Sequence, residues 1–291
     1  MTTFPGHHLR AGASARLPWS VDISPETAGW GWCGLRVLDL GPGESAAVVA
    51  DGTEFLVLPL CGSATVRSGP DEVDLAGRDS VFGAVTDFAY VGLGGEAVIT
   101  SEAGGRFALP SSRARRALPF RYVAAADVSV EMRGAGSCSR QVNNFCTPDT
   151  FDADRLISCE VLTPGGNWSS YPPHKHDEEG PGETALEEIY YFEVADGPAG
   201  PGMAYQRVYG TADRPIDVLA EVRTGDAVLI PHGWHGPSIA TPGYDLYYLN
   251  VMAGPGVERA WRICDDPAHA WVRQTWPEQL VDSRLPLTRA R

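Results

Sequence analysis

Short apolar runs recur along the whole chain and are separated by clusters of glycine, aspartate and proline. In the first half the clearest runs are WCGLRVLDL (32–40), EFLVLPL (54–60) and AVITSEAG (97–104). In the second half they are LISCEVLTPGG (156–166), IYYFEV (189–194) and YDLYYLNVMAG (244–254). Helical periodicity is poor throughout, and the tail stretch WRICDDPAHAWVRQTW leaves room for one short helix. Short strands with Gly- and Pro-rich turns at this frequency predict an all-β fold, either a sandwich or a barrel.

A break in composition divides the chain near its middle. The stretch PSSRARRALPFRY (110–122) is rich in Pro, Ser and Arg, so we place an inter-domain linker there. The predicted domains are residues 1–120, which begin with a polar arm, and residues 121–291. The halves look like weak repeats, because in each a Glu opens an apolar strand and a later turn containing Gly and Asp opens another. The sequence has no histidine between His8 and His174, so only the second domain is expected to keep a metal site.

Charge and composition exclude several classes of partner. The 291 residues carry a formal net charge of -14, and the small cluster of Arg113, Arg115 and Arg116 cannot form a nucleic-acid-binding surface. The sequence has no apolar run of membrane-spanning length and no signal-peptide pattern, so we expect a cytoplasmic protein that binds a small molecule. The six cysteines never form CxxC, and we expect them to be free and buried. The sequence does not decide the oligomeric state, and a homo-oligomer is compatible with it.

The stretch NWSSYPPHKHD (167–177) carries His174 and His176, two positions apart. In an extended strand both side chains lie on one face, with their Cα atoms roughly 6.5–7 Å apart. Two imidazoles at that spacing can bind one ion at about 2.0–2.1 Å. Lys175, the only lysine of the chain, lies between them and points to the other face. We interpret this stretch as the first half of a metal site.

Later strands offer the remaining ligands of such a site. In LEEIYYF, alternation places Glu188 and Tyr190 on one face of a strand and Glu187 on the other. Glu188 is the preferred ligand, because aromatic side chains continue its face as they would line a barrel interior. The stretch GDAVLIPHGWHG then supplies two candidate imidazoles, His232 and His235.

Together these patterns resemble the two sequence motifs of the cupin fold. Longer stretches resemble the 5-deoxy-glucuronate isomerase family of myo-inositol catabolism, which is related to the 5-keto-4-deoxyuronate isomerases. These stretches are NWSSYPPHKHD, LEEIYYF, QRVY (206–209), PGYDLYYLNVMAGP (242–255) and DDPAHAWV (265–272). The resemblance covers roughly residues 160–272 and is only general over residues 1–125. The turn PHGWHGP departs from the family's Gly-Tyr-His-Pro, with Trp234 in place of Tyr and an extra Gly236.

The resemblance implies two cupin domains, a bicupin, with one divalent ion bound by three histidines and one glutamate. The expected ligands are His174, His176, Glu188 and His235, with His232 as the alternative to His235. Zn²⁺ is the expected ion by similarity to the related uronate isomerases, and Mn²⁺ and Fe²⁺ accept the same donors.

The resemblance also implies an aldose–ketose isomerisation of 5-deoxy-D-glucuronate to 5-dehydro-2-deoxy-D-gluconate. A proton must move between adjacent carbons through an enediolate, which a divalent ion would stabilise. The candidate catalytic residues are Glu187, Tyr190 and Lys175, and Glu183 and Asp177 are further candidate bases.

The substrate's carboxylate requires a local cation, because long-range charge is screened beyond about 8 Å. Arg207 and Lys175 are the candidates for this contact, and Tyr171 is a further candidate substrate contact. Two other functions stay open: a metal-dependent cupin dioxygenase, which uses the same ligand types, and a non-catalytic sugar-binding cupin. Oxygen uptake in the presence of substrate would distinguish the dioxygenase from the isomerase.

Overall fold

The computed structural model of the protein describes residues 3–290, and nearly all of its regular structure is β-strand. The first half contains β1 (His8–Leu9), β2 (Trp19–Ile23), β3 (Cys33–Leu40), β4 (Glu44–Val49), β5 (Thr53–Ser68), β6 (Asp71–Arg78), β7 (Phe88–Val91), β8 (Glu96–Ser101), β9 (Gly105–Arg113) and β10 (Arg121–Val123). The second half contains β11 (Ser129–Arg133), β12 (Arg140–Cys146), β13 (Ile157–Thr163), β14 (Trp168–Ser169), β15 (His174–Lys175), β16 (Glu187–Val194), β17 (Ala204–Tyr209), β18 (Asp217–Val222), β19 (Ala227–Ile230), β20 (Trp234–Ala240), β21 (Leu246–Ala253) and β22 (Cys264–Asp265).

Helices are short in the described chain. They are α1 (Pro25–Ala28) and the 3₁₀ segments Ala125–Asp127, Gly136–Cys138 and Ala270–Glu278. The last of these lies in the tail where the sequence left room for a short helix. No helix within residues 3–290 has both the length and the apolar character needed to cross a bilayer.

Strand β5 organises the first half because it belongs to two parts of a nine-stranded sheet. Its first residues pair with β7 and β9, and its last residues pair with β6 and β8. The strand order is β10-β7-β5-β9-β3-β2, with β4 joined through β8. Buried side chains that include Leu38, Phe55, Val66, Ile99 and Phe107 fill the space enclosed by these strands.

The second half consists of two facing antiparallel sheets. The seven-stranded sheet has the order β1-β19-β16-β21-β13-β12-β11, and the six-stranded sheet has the order β18-β17-β20-β15-β22 with β14 on β20. The core between them includes Tyr190, Phe192, Val208, Ile230 and Met252. Strands β17 and β18 alternate between buried and more exposed residues, because only one of their faces is covered.

Strands β13, β16 and β21 are buried on both faces, since the sheet of the first half packs against the outer face of the seven-stranded sheet. This contact layer includes Leu35 and Tyr90 from the first half and Ile189, Tyr191 and Leu249 from the second. Residues on one face of β16 therefore join the interior core, and those on the other join the contact layer. The alternation predicted for this strand is confirmed.

Buried polar contacts also join the halves. Arg78 and Glu160, whose side chains are both fully buried, form a two-pronged ion pair with distances of 2.9 and 2.7 Å. The carboxylate of Glu54 accepts hydrogen bonds from the backbone amides of residues 154–156 at 2.6–2.9 Å. Because each group is satisfied by a partner in the other half, separating the halves would expose unpaired polar atoms.

Three connecting regions differ from the sequence-based expectation. Within the predicted arm, β1 pairs with β19 of the second half, from His8 opposite Val228. Residues 110–113 of the predicted linker are the end of β9, and the chain passes between the halves over residues 124–128. Strand β9 lies between β5 and β3, and it accommodates Pro110 because this residue pairs with Leu35 of β3 at a position where β9 has no partner in β5.

Candidate metal centre and active-site cavity

Strands β15 and β20 bring two imidazoles together by their register. His174 lies directly opposite His235 in the antiparallel pair, and their ring centroids are 4.4 Å apart. His176 continues the chain beyond β15, with its ring centroid 4.7 Å from that of His235. One nitrogen from each of the three histidines lies within 4.8 Å of the others, and all three side chains are buried.

Glu188 completes this cluster from β16. Its Oε2 lies 3.1 Å from Nε2 of both His176 and His235. The amide of Asn250, on the neighbouring β21, donates a hydrogen bond to the other carboxylate oxygen. The four side chains His174, His176, Glu188 and His235 therefore converge, as the sequence motifs suggested.

Backbone carbonyls set the orientation of two of the rings. Nδ1 of His176 lies 3.3 Å from the carbonyl oxygen of Leu186, and Nδ1 of His235 lies 3.1 Å from that of Gly233. This arrangement turns Nε2 of each ring towards Glu188, and it is the outer-sphere pattern found around ligating histidines.

The electrostatics suit imidazole ligands. Burial, followed by the neighbouring rings of His235 and His176, holds the pKa of His174 well below its usual value. Burial alone would raise the pKa of Glu188, but its contacts with His176 and His235 lower it to about 2. Burial alone would lower the pKa of His176, and the contact with Glu188 raises it instead. An ionised carboxylate thus lies among imidazoles, one of them held neutral.

Two buried nitrogens of the cluster lack hydrogen-bond partners among the described residues. They are Nδ1 of His174 and Nε2 of His235, the second of which lies 3.1 Å from Oε2 of Glu188 but is not aligned for a hydrogen bond. Buried polar atoms are normally satisfied, so unpartnered nitrogens in a converging donor set are consistent with a ligand that supplies the missing contact. Three imidazoles and one carboxylate fit a divalent transition-metal ion or Zn²⁺. The residues present therefore fit a bound metal.

The structure favours His235 over His232 as the last donor. His232 is partly exposed and lies outside the three-histidine group. The extra glycine of the turn has a structural role: Gly236 has φ of 101°, and a Cβ there would lie 1.7 Å from the carbonyl oxygen of Ser170. Only glycine allows this close approach, which brings β20 alongside the segment that carries the other histidines.

Beside the cluster lies a cavity of about 460 Å³. Its lining includes His174, Tyr190, Tyr248, Asn250, Arg140 and Arg273. The rings of Tyr190 and Tyr248 stack, with centroids 4.9 Å apart and an angle of 7° between planes. The hydroxyl of Tyr190 lies 3.0 Å from Oγ of Ser170. Burial, next to the negative charge of Glu188, raises the pKa of Tyr190 well above its usual value, so it is a neutral hydroxyl at physiological pH.

The structure does not bring Glu187 to this cavity. Its carboxylate lies on the opposite face of β16 and accepts hydrogen bonds from the amides of Gly31 and Trp32, each at 2.7 Å, and Cys33, at 3.3 Å. Burial outweighs these hydrogen bonds and raises the pKa of Glu187. The prediction that Glu187 acts as a base is corrected by this placement: the carboxylate joins the two halves of the molecule.

Lys175 also points away from the cluster. Its Nζ contacts Asp177 at 2.7 Å and both carboxylate oxygens of Glu183 at 2.9 Å. Burial alone would lower the pKa of Lys175, and these hydrogen bonds raise it. The expected catalytic or substrate-binding lysine is instead the centre of an ion-pair network, which also occupies the candidate bases Asp177 and Glu183.

Arg207 and Tyr171 lie outside the cavity too. On β17 the side chains of Gln206 and Val208 are buried in the core, and Arg207 projects from the other face to contact Asp217. Tyr171 packs edge-on against Trp168, with centroids 5.6 Å apart. Arg207 and Tyr171 meet in a separate depression, so the predicted carboxylate contact is not at the metal-capable cluster.

Sequence reasoning missed the cations and the amide that do line the cavity. Arg133 and Arg140 come from β11 and β12, Arg273 comes from the last 3₁₀ segment, and Asn250 comes from β21. Alternation along LYYLN places Tyr248 and Asn250 on one face, which was an available signal. No local pattern joins the arginines, because the fold brings them together from distant segments.

Comparison with known proteins identifies the family of the chain. The KduI/IolB family model matches residues 7–272. A protein of Geobacillus kaustophilus named 5-deoxy-glucuronate isomerase is 39% identical over 258 residues, covering 88% of this chain and 91% of the relative. The protein of the same name from Bacillus subtilis strain 168 is 40% identical over 241 residues, covering 82% and 86%.

Two solved structures also superpose on most of the chain. An IolB-like protein from Salmonella typhimurium superposes with a TM-score of 0.84 at 35% identity, covering 92% of this chain and 99% of that one. The oxalate decarboxylase of Lactobacillus farciminis, in its formate complex, superposes with a TM-score of 0.64 at 11% identity, covering 91% and 90%. This second likeness concerns the cupin-like fold alone. The chain belongs to the KduI/IolB family.

Proposed function

We propose that the protein is a 5-deoxy-glucuronate isomerase that converts 5-deoxy-D-glucuronate to 5-dehydro-2-deoxy-D-gluconate in myo-inositol catabolism. Relatives of that name match most of the chain. The observation that carries the proposal is the convergence of three imidazoles and Glu188 beside a cavity that is also lined by arginines. Its volume of about 460 Å³ is in the usual range for small-molecule sites.

His174, His176, Glu188 and His235 would hold the ion, for which we propose Zn²⁺. Three imidazoles and one carboxylate suit Zn²⁺ and are also accepted by Mn²⁺ and Fe²⁺. When bound, the ion supplies positive charge that favours an enediolate over the neutral sugar. Asn250 fixes the carboxylate of Glu188, and two backbone carbonyls fix the imidazole rings of His176 and His235. These donors are therefore positioned before any ligand arrives.

Tyr190 is our candidate for the residue that moves a proton between the two reacting oxygens of the sugar. Its hydroxyl is neutral, lines the cavity and contacts Oγ of Ser170. A neutral hydroxyl within reach of the sugar can donate its proton to the carbonyl oxygen as the enediol forms, and regain a proton from the neighbouring hydroxyl as that oxygen becomes the new carbonyl. Ser170 is held at φ of 49°, a conformation rare for residues other than glycine, and this directs its side chain to Tyr190.

We infer that the fold is a bicupin, in which residues 1–120 and 121–291 are related domains and only the second domain holds a metal ion. The weak sequence repeat and the location of the three-histidine group in the second half support this division. The first domain would then stabilise the catalytic domain through the shared contact layer. The proposed metabolic role is consistent with the expected cytoplasmic location.

The test is turnover of 5-deoxy-D-glucuronate by metal-loaded protein without oxygen, followed by proton NMR. We expect the ketose product to appear under anaerobic conditions, with no oxygen uptake in a parallel aerobic sample. Oxygen consumption tied to substrate loss would identify a dioxygenase, and binding without turnover would identify a sugar-binding cupin. Removing the metal with a chelator should abolish turnover, and adding metal back should restore it. Full activity in the chelator-treated protein would show that the reaction does not need the metal.

A further inference from the structure

The cavity beside the three histidines has two arginines placed opposite each other. Arg133 on β11 and Arg140 on β12 are direct partners in the antiparallel register, and both line the cavity. Like charges in directly opposed positions are destabilising unless something compensates them. Arg133 has such compensation, because its Nε contacts Glu131 at 2.9 Å.

Arg140 has no such partner. It is only 7% exposed, and its Nη1 donates a hydrogen bond to the carbonyl oxygen of Cys138 at 3.1 Å. Within residues 3–290 no carboxylate lies within ion-pair distance of its guanidinium group. A buried cation without a counter-charge is costly, so the position invites an anion.

The surroundings of Arg140 concentrate positive charge and hold the guanidinium in place. Arg273 lies across the ring of Trp276 at 5.0 Å, and Arg140 lies over the same ring at 5.8 Å. Arg273 is already paired with Asp265. Burial, with the charges of Arg133 and Arg273, lowers the pKa of Arg140. Of the three arginines that line the cavity, Arg140 is therefore the one whose charge is left for a ligand.

The cavity also connects this charge to the reacting end of the site. His174 and Arg140 line the same cavity. A six-carbon sugar acid has its carbonyl at one end and its carboxylate at the other. Such a ligand can present oxygens to the histidine cluster and a carboxylate to the guanidinium group at the same time.

We propose that Arg140 is the carboxylate-binding residue of this cavity and makes the site specific for sugar acids over neutral sugars. This inference rests on the proposed function, and it names the group that selects the substrate class. The planar guanidinium group matches a carboxylate in a two-pronged contact, which a lysine cannot reproduce. Arg133 and Arg273 keep their own carboxylates and support Arg140 through charge and packing.

The experiment measures inhibition by D-gluconate and by neutral D-glucitol, and titrates both into the metal-loaded protein by calorimetry. The variants are Arg140→Gln and Arg140→Lys, with Arg207→Gln as the matched control, because Arg207 lies outside the cavity. For Arg140→Gln we expect gluconate to bind roughly 10- to 100-fold more weakly and KM for 5-deoxy-glucuronate to rise by a similar factor. Weak binding of glucitol should be unchanged, and kcat should fall less than kcat/KM.

Arg140→Lys keeps the charge and should lose a smaller part of gluconate affinity, which keeps the test informative if the glutamine variant does not fold. Unchanged gluconate binding in the lysine and glutamine variants would overturn the proposal, as would an equal loss in Arg207→Gln or an equal loss for glucitol. The two proposals fail separately. Wild-type protein that binds gluconate through Arg140 without isomerising refutes only the isomerase, and an active enzyme insensitive to Arg140 refutes only the carboxylate contact.

Discussion

Glu187 and Glu188 are neighbours in the chain, yet their carboxylates lie on opposite faces of β16 and contact different halves of the molecule. Glu188 meets His176 and His235 inside the second half, and Glu187 binds backbone amides of residues 31–33 in the first. Strand alternation separates the two side chains by geometry alone. The pair therefore offers matched substitutions with opposite expected effects.

Glu188→Gln should remove bound metal and turnover, because it replaces the ionised donor of the cluster with a neutral amide. Glu187→Gln should keep metal and activity and lower the free energy of unfolding by about 1–3 kcal/mol, since it weakens three partly buried hydrogen bonds. Elemental analysis and urea denaturation measure the two effects. Metal loss in the Glu187 variant, or retention in the Glu188 variant, would contradict the assignment.

His235→Ala should reduce the metal content of purified protein, and His232→Ala should leave it unchanged. The reason is that His235 faces His174 and His176, whereas His232 is partly exposed outside the group. Metal-to-protein ratios after dialysis measure this directly. If His232→Ala loses the metal and His235→Ala keeps it, the ion is bound by His232 and not by His235.

Tyr190→Phe should lower kcat by about 10²-fold or more while the metal content stays at the wild-type level, because it deletes a proton donor without touching a ligand. Tyr248→Phe is the matched control. Its hydroxyl contacts Oγ of Ser169 at 3.0 Å, and its ring stacks on that of Tyr190. Steady-state kinetics with parallel metal analysis distinguish the two variants; equal kcat values for both would exclude a proton role for Tyr190.

All six cysteines are free, and their environments predict different reactivity. Burial raises the pKa of Cys146 and of Cys159 to about 12, so at pH 8 only about 10⁻⁴ of either thiol is ionised. Both thiols should therefore react very slowly at pH 8, and their thiolate fraction should rise about tenfold per pH unit while the protein stays folded. Cys61 and Cys264 are partly exposed and should react first with a thiol reagent.

Peptide mapping after brief alkylation should find label on Cys61 and Cys264, and denatured protein should be labelled at all six positions. Early label on Cys146 in folded protein would mean that the contact layer opens readily, and early label on Cys159 would mean that the interior core of the second half does.

Glu160→Gln should be strongly destabilising, by about 3–5 kcal/mol, because it leaves Arg78 as a buried cation without its counter-charge. The exposed pair Arg67–Glu72 provides the control, and Glu72→Gln should cost less than about 1 kcal/mol. Urea unfolding of the two variants measures the difference. Similar losses would show that the buried ion pair is no more important for stability than a surface pair.

Part of the candidate metal cluster was accessible from sequence because its signals are short-range. Spacing of two residues fixes the relation of His174 and His176, and strand alternation separates Glu188 from Glu187. The choice between His235 and His232 was not accessible from spacing alone, since the two lie three residues apart and only the register of β20 with β15 decides which one faces the cluster.

The residues that line the cavity were not accessible from sequence for a different reason. Arg207 follows the motif closely in the sequence, but the pleat of β17 turns its side chain away from the core. Arg140 and Arg273 are far apart in the chain and share no pattern, and they line one cavity only because β12 and the C-terminal 3₁₀ segment meet there. The same limit applies to Lys175, whose partners depend on how the following loop folds back.

The short strand β1 has a consequence for synthesis of the protein. His8 pairs with Val228, 220 positions later, and so closes the edge of the seven-stranded sheet that carries Glu188. On the ribosome this N-terminal segment emerges early and must wait for most of the chain before its partner exists. The completed second half therefore depends on β1 staying free of other strands, and a fusion that traps it would leave the β19 edge open to pairing between molecules.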